Sequence, residues 1–144
     1  MASFKQLISL ALFMFSASAA SQEIDMKKCK YEFDATNAAL GMRDHGKTKA
    51  EMEATLPPRE KTVNDPRAVL LHTILDDIYS RPDVASFPYF HYRSLVCVTR
   101  SQGFDVTVPF ERVADDLVAC QNAHGTQQSE PLGDCILTAV QKHL

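Results

Sequence analysis

Through most of this chain apolar residues recur at every third or fourth position, and glycine, proline or clustered polar residues close each run. That is the 3.6-residue period of helices with one buried face. The first run, 24–42, places Cys29, Phe33, Thr36, Asn37 and Leu40 together, with Ala35, Ala38 and Ala39 on the flank. Asp44-His45-Gly46 closes it, and Gly46 suits a left-handed cap. Thr48-x-x-Glu51 is a capping box and predicts a short second helix to about Leu56, stopped by Pro57-Pro58. Residues 59–64 are polar and read as a surface connection. Asp65-Pro66 then pairs a capping carboxylate with proline at the first helical position, and predicts a third helix to Tyr79. Its apolar residues (Val69, Leu70, Leu71, Ile74, Leu75, Ile78) cover most of the circumference, which marks it as the most buried helix.

After the break at Ser80-Arg81-Pro82-Asp83, a fourth helix is expected from about Pro88 to Ser101. It should carry Tyr92, Leu95, Val96 and Thr99 on one face, Cys97 beside them, and a stop at Gly103. Residues 104–108 alternate apolar and polar, but a single strand has nothing to pair with, so they read as an extended connector. Phe110, Val113, Ala114, Leu117 and Cys120 mark a fifth helix. A polar loop at 125–129 separates it from a sixth, marked by Leu132, Cys135, Ile136, Ala139 and Val140. The expected fold is all-α, a compact bundle of about five or six short helices.

The first residues follow a different pattern. One cation, Lys5, precedes the apolar run 7–15, and small residues end in Ala17-Ser18-Ala19-Ala20. This is the layout of a secretory signal peptide, 1–20, cut after Ala19 or Ala20. It predicts a periplasmic or secreted protein whose mature part, 21–144, is a single helical domain. The run is shorter than the roughly 20 residues of a membrane span, and no second run follows, so no span is expected in the mature form.

The export reading changes the meaning of the four cysteines, Cys29, Cys97, Cys120 and Cys135. An even number in an oxidising compartment favours two disulfides, and the wide gaps lack the tight pairs of zinc sites. Cys120 and Cys135 fall on the apolar faces of what should be an antiparallel hairpin, which favours Cys120–Cys135 and leaves Cys29–Cys97. The net charge of −3 argues against nucleic acid, whose binders cluster Lys and Arg.

Candidate chemistry is sparse. His72-x-x-x-Asp76 sets an imidazole and a carboxylate one helical turn apart and is the candidate ligand pocket; no second histidine at metal spacing supports a metal site, and no cofactor is expected. There is no G-x-S-x-G elbow and no glycine-rich phosphate loop. The segment 87–93 concentrates Phe87, Tyr89, Phe90 and Tyr92 beside His91 and Arg93. Tyr and Arg dominate protein interfaces, so Tyr89, His91, Tyr92 and Arg93 are the candidate partner-binding surface.

The order of features (export leader, cysteine on the first helix, Arg43-x-x-Gly46 corner, capped second helix, later cysteines) resembles small helical secreted bacterial proteins, including periplasmic immunity proteins that neutralise toxins. The resemblance implies a binding role and carries over no individual residue. The expected function is a non-enzymatic binding protein, of inhibitor or immunity type, for another envelope or secreted protein. A small-molecule or metal-binding periplasmic protein is the alternative, and a small secreted hydrolase a more distant one.

Overall fold

In the computed structural model residues 26–144 are described; the expected leader, 1–20, lies outside them. The helices are α1 (Met26–Asp44), α2 (Lys49–Glu53), α3 (Pro66–Ser80), α4 (Ser86–Ser101), α5 (Phe110–His124) and α6 (Glu130–Gln141). A 3-10 turn, Arg59–Lys61, sits in the connection read as irregular surface. Among the described residues there is no strand, and 104–109 is an extended link.

Local signals act as their chemistry requires. Gly46 takes φ +83°, and the amides of Gly46 and Lys47 fold back onto the carbonyls of Arg43 and Met42 at 2.9 and 3.0 Å, ending α1. At α2 the capping box forms: the Thr48 amide donates to Glu51 Oε2 at 2.8 Å, and the Glu51 amide donates to Thr48 Oγ1 at 3.2 Å. The Asp65 carboxylate receives the amides of Arg67 and Ala68 and so starts α3.

The corner after α1 has a second function. The Arg43 guanidinium reaches across to the carbonyls of Ile78 and Val84 at 3.5 and 3.2 Å and to Ser86 Oγ at 2.9 Å. It thereby satisfies a carbonyl of the last turn of α3 and one of the α3–α4 link, and ties the end of α3 to the start of α4. Asp44, paired with the same guanidinium, receives the Ser86 hydroxyl.

The most buried helix is α4 rather than α3. It packs against α1, α5 and α6, whereas α3 is covered mainly by α1, α2 and the 3-10 turn, leaving Val69 exposed. The apolar breadth of α3 misled because Leu70 and Leu71 are only partly covered. The inner face of α4 is Tyr89, Tyr92, Arg93, Val96 and Cys97, spaced i, i+3, i+4, i+7 and i+8. Tyr89 meets Phe110 of α5 edge-on at 5.0 Å, and the Tyr92 hydroxyl donates to the Val108 carbonyl at 2.6 Å, holding the extended link in place.

Both disulfides have the expected pairing, with Cα atoms 5.9 Å apart for Cys29–Cys97 and 5.7 Å for Cys120–Cys135. The first joins α1 to α4 and the second staples the α5–α6 hairpin. In the loop-entropy account the bond closing 68 residues should stabilise more than the one closing 15, by about 4 against about 3 kcal/mol. Urea unfolding of the two paired Cys→Ser variants checks this, and the expected order is a lower midpoint without Cys29–Cys97.

Candidate functional site

The candidate site runs along the segment 87–93, but most of the residues its composition favours are buried. Tyr89, Tyr92 and Arg93 are 0%, 1% and 7% exposed, so three of the four residues expected to form a docking surface are inside the molecule. The physical reason is a partner far away in sequence. Glu32, on α1, is itself buried and places Oε1 2.5 Å from Arg93 and Oε2 2.7 Å from Arg100. A buried guanidinium is tolerated only with such a counter-charge, and here α1 supplies it one turn from Cys29. Thr36 Oγ1 and Arg93 Nε, buried in the same seam, have no hydrogen-bond partner among the described residues.

Tyr89 extends the polar chain to α3, its hydroxyl donating to Asp77 Oδ2 at 2.9 Å. Burial pushes the Asp77 carboxyl up to about 6, reinforced by the nearby charges of Glu111 and Asp76, while the Tyr89 hydrogen bond and the Arg93 charge act the other way. Burial likewise pushes the Tyr89 hydroxyl well above its usual range, and that of Tyr92 up to about 12. These tyrosines stay protonated and serve as structural donors.

The imidazole–carboxylate pair on α3 does not converge. Buried His72 donates from Nε2 to the Pro57 carbonyl at 3.0 Å, tying α3 to the Pro-Pro corner. Asp76 turns instead to Arg59, 2.8 Å away, and Lys49, 2.7 Å away. The Arg59 hydrogen bonds hold its carboxyl down at about 2. The pocket expected around His72 and Asp76 is thus replaced by two structural ties. Beside them, α1, α2 and α3 enclose a small apolar hollow of ≈120 Å³ lined by Ala38, Met42, Met52, Leu56, Leu71 and Leu75. Among the described residues no three His, Cys, Asp or Glu side chains gather as a metal site would require.

His91 alone of the four candidates faces outward. It lies on the stripe Phe87, His91, Leu95, which the i, i+4, i+8 spacing turns away from the seam and toward α6. The Phe87 and His91 rings stack, centroids 5.5 Å apart. Partial burial pushes the His91 imidazole down, favouring its neutral form. The facing stripe of α6 is Glu130, Gly133, Asp134 and Leu137, set apart from the buried stripe Leu132, Ile136, Ala139 and Val140. Between the two runs an open groove of ≈760 Å³, lined also by Gln128 and Ser129, which lead into α6. A Cβ at Gly133 would sit 3.8 Å from His91 Nε2, an ordinary van der Waals contact, so alanine fits there while a longer side chain would occupy part of the groove.

Sequence reasoning missed the α6 wall. The available signal was Gly133, a glycine inside a helix without a capping role, where it costs about 1 kcal/mol relative to alanine. No family model, curated protein or solved structure matches the chain.

Two outcomes follow for the buried cluster. Arg93→Ala should destabilise by about 3 kcal/mol, because it takes from buried Glu32 its buried partner and leaves only the half-exposed Arg100; thermal or urea unfolding measures it. The Asp77 carboxyl, raised in the folded state, contributes stability that is full below about pH 4 and is lost as pH rises through about 6. Asp77→Asn should therefore be more stable than the wild type at pH 8, on the order of 1–2 kcal/mol, with the advantage shrinking at pH 5. Paired urea titrations at the two pH values check the sign.

Proposed function

We propose that this is an exported, non-enzymatic binding protein, of inhibitor or immunity type, that docks another envelope or secreted protein onto the α4–α6 groove. The observation carrying this reading is the groove itself, with the stacked rings of Phe87 and His91 on its α4 side and Gly133 of α6 facing His91. Aromatic side chains set in a concave surface with a polar rim are the usual anchors of protein interfaces. The two disulfides fit an oxidising compartment and hold both walls, α4 to α1 and α6 to α5, so that little ordering is needed on binding. The mechanism is occlusion: a rigid face covers a functional surface of the partner.

Affinity capture from the host envelope with wild-type protein and Gly133→Leu tests the reading. The wild type should retain one stoichiometric partner, and Gly133→Leu, which sets a branched side chain against the His91 ring, should lose it with no fall in melting temperature. A partner held equally by both would place the docking face elsewhere.

The second reading, a small-molecule binder, is favoured by the apolar hollow between α1, α2 and α3, whose size suits a ligand of a few carbon atoms. A thermal-shift panel of small hydrocarbons and short-chain fatty acids tests it: a saturable rise in melting temperature, absent in Ala38→Leu, supports this alternative.

A further inference from the structure

The groove is chemically lopsided. Its α4 wall is apolar and aromatic, and its only other ionisable lining group, His91, favours the neutral form. Its α6 wall carries two exposed carboxylates, Glu130 and Asp134, spaced i, i+4 on one stripe. Neither makes an ion pair among the described residues; exposed Glu60, Asp105 and Glu111 also have none, but they lie apart, whereas Glu130 and Asp134 share one helix stripe on the groove. No cationic side chain lines the groove. Two like charges held one turn apart repel each other slightly, and a cation supplied by a partner relieves that repulsion.

We propose that the groove takes a basic peptide segment of the partner protein, whose Lys or Arg side chain reaches Glu130 and Asp134 while an adjacent apolar or aromatic side chain lies over Phe87, His91 and Leu95. This rests on the docking reading above and adds the chemistry of what docks. A guanidinium suits the site better than an ammonium, because its planar fork can bridge two carboxylates and its face can stack on the neighbouring rings. Gln128 offers a side-chain amide to the backbone of the incoming segment, and the Ser129 hydroxyl, whose oxygen caps α6 by accepting the Leu132 amide, still has its proton to donate. Leu137, 38% exposed, bounds the apolar part on the α6 side. An anionic segment is disfavoured by the same two carboxylates, even though a helix N-terminus alone would attract it.

Selection from a random decapeptide display library on the oxidised protein, with subtraction on Gly133→Leu, reads this out. The expected result is a consensus with Lys or Arg within two positions of an aromatic or branched aliphatic residue. A synthetic peptide of that consensus, followed by fluorescence anisotropy, should bind about tenfold more weakly to Glu130→Gln/Asp134→Asn. It should also weaken several-fold between 50 and 300 mM salt, as expected of a charge contact near the surface. Both substituted side chains are exposed and make no ion pair among the described residues, so the double variant should keep its fold; His91→Ala, which removes part of the floor, gives an independent loss. A consensus rich in Asp or Glu, an uncharged consensus, no consensus at all, or binding indifferent to the double variant would each overturn the proposal. The docking reading fails separately: if Gly133→Leu still captures the envelope partner, the groove is not the interface, whereas capture lost in Gly133→Leu but kept in the double variant leaves the groove standing and removes the basic segment.

Discussion

A guanidinium and a carboxylate withdrawn from water together are held in one register, because a shift by a single residue would leave both charges stranded. Glu32 and Arg93 impose that condition on the seam between α1 and α4. Cys29–Cys97 lies one turn along the same two faces, and Phe33 meets Phe90 at 5.9 Å on the other side of the pair. At the far end Asp44 and Arg43 reach Ser86. These contacts run in opposite directions along the two helices, so α1 and α4 form an antiparallel pair locked from end to end. The charges need not add stability over a well-packed apolar seam; what they supply is a single allowed alignment.

That alignment decides what α4 can show to the outside. With Tyr89, Tyr92, Arg93, Val96 and Cys97 committed inward, the stripe Phe87, His91, Leu95 is turned toward α6. The α5–α6 hairpin, fixed by Cys120–Cys135, brings Glu130, Gly133, Asp134 and Leu137 opposite it. The groove is therefore a consequence of two independently stapled helix pairs meeting along one edge. Its walls are helices rather than loops, which favours a preorganised surface.

Much of the fold was legible because it is written in local chemistry. The capping box at Thr48, the Asp65-Pro66 start, the left-handed turn at Gly46 and the hairpin disulfide each depend on residues a few positions apart. The site was legible only in part, since burial of a charged residue is decided by its partner. Nothing near Arg93 in sequence announces Glu32, and an arginine among aromatics reads as an interface residue until its counter-ion is known. The ranking of α3 over α4 failed for a related reason: apolar breadth measures what a helix could bury, while neighbours determine what it does bury. Likewise His72 and Asp76 share a helix face, yet each is drawn to a partner supplied by the Pro-Pro corner or by the segments around it. His91 was picked from composition, and helical spacing relative to its buried neighbours explains why it alone of that group reaches the surface.

The central claim is that the outward stripe of α4 is where the partner sits, and the chain's five histidines give a direct probe of it. Their imidazole carbon-bound proton resonances can be followed by NMR as the captured partner is added. His91, on the groove, should shift and broaden, while buried His72, held to the Pro57 carbonyl, keeps its position. Movement of His72 with His91 unchanged would put the interface at the Pro-Pro corner, away from the groove, and contradict the account.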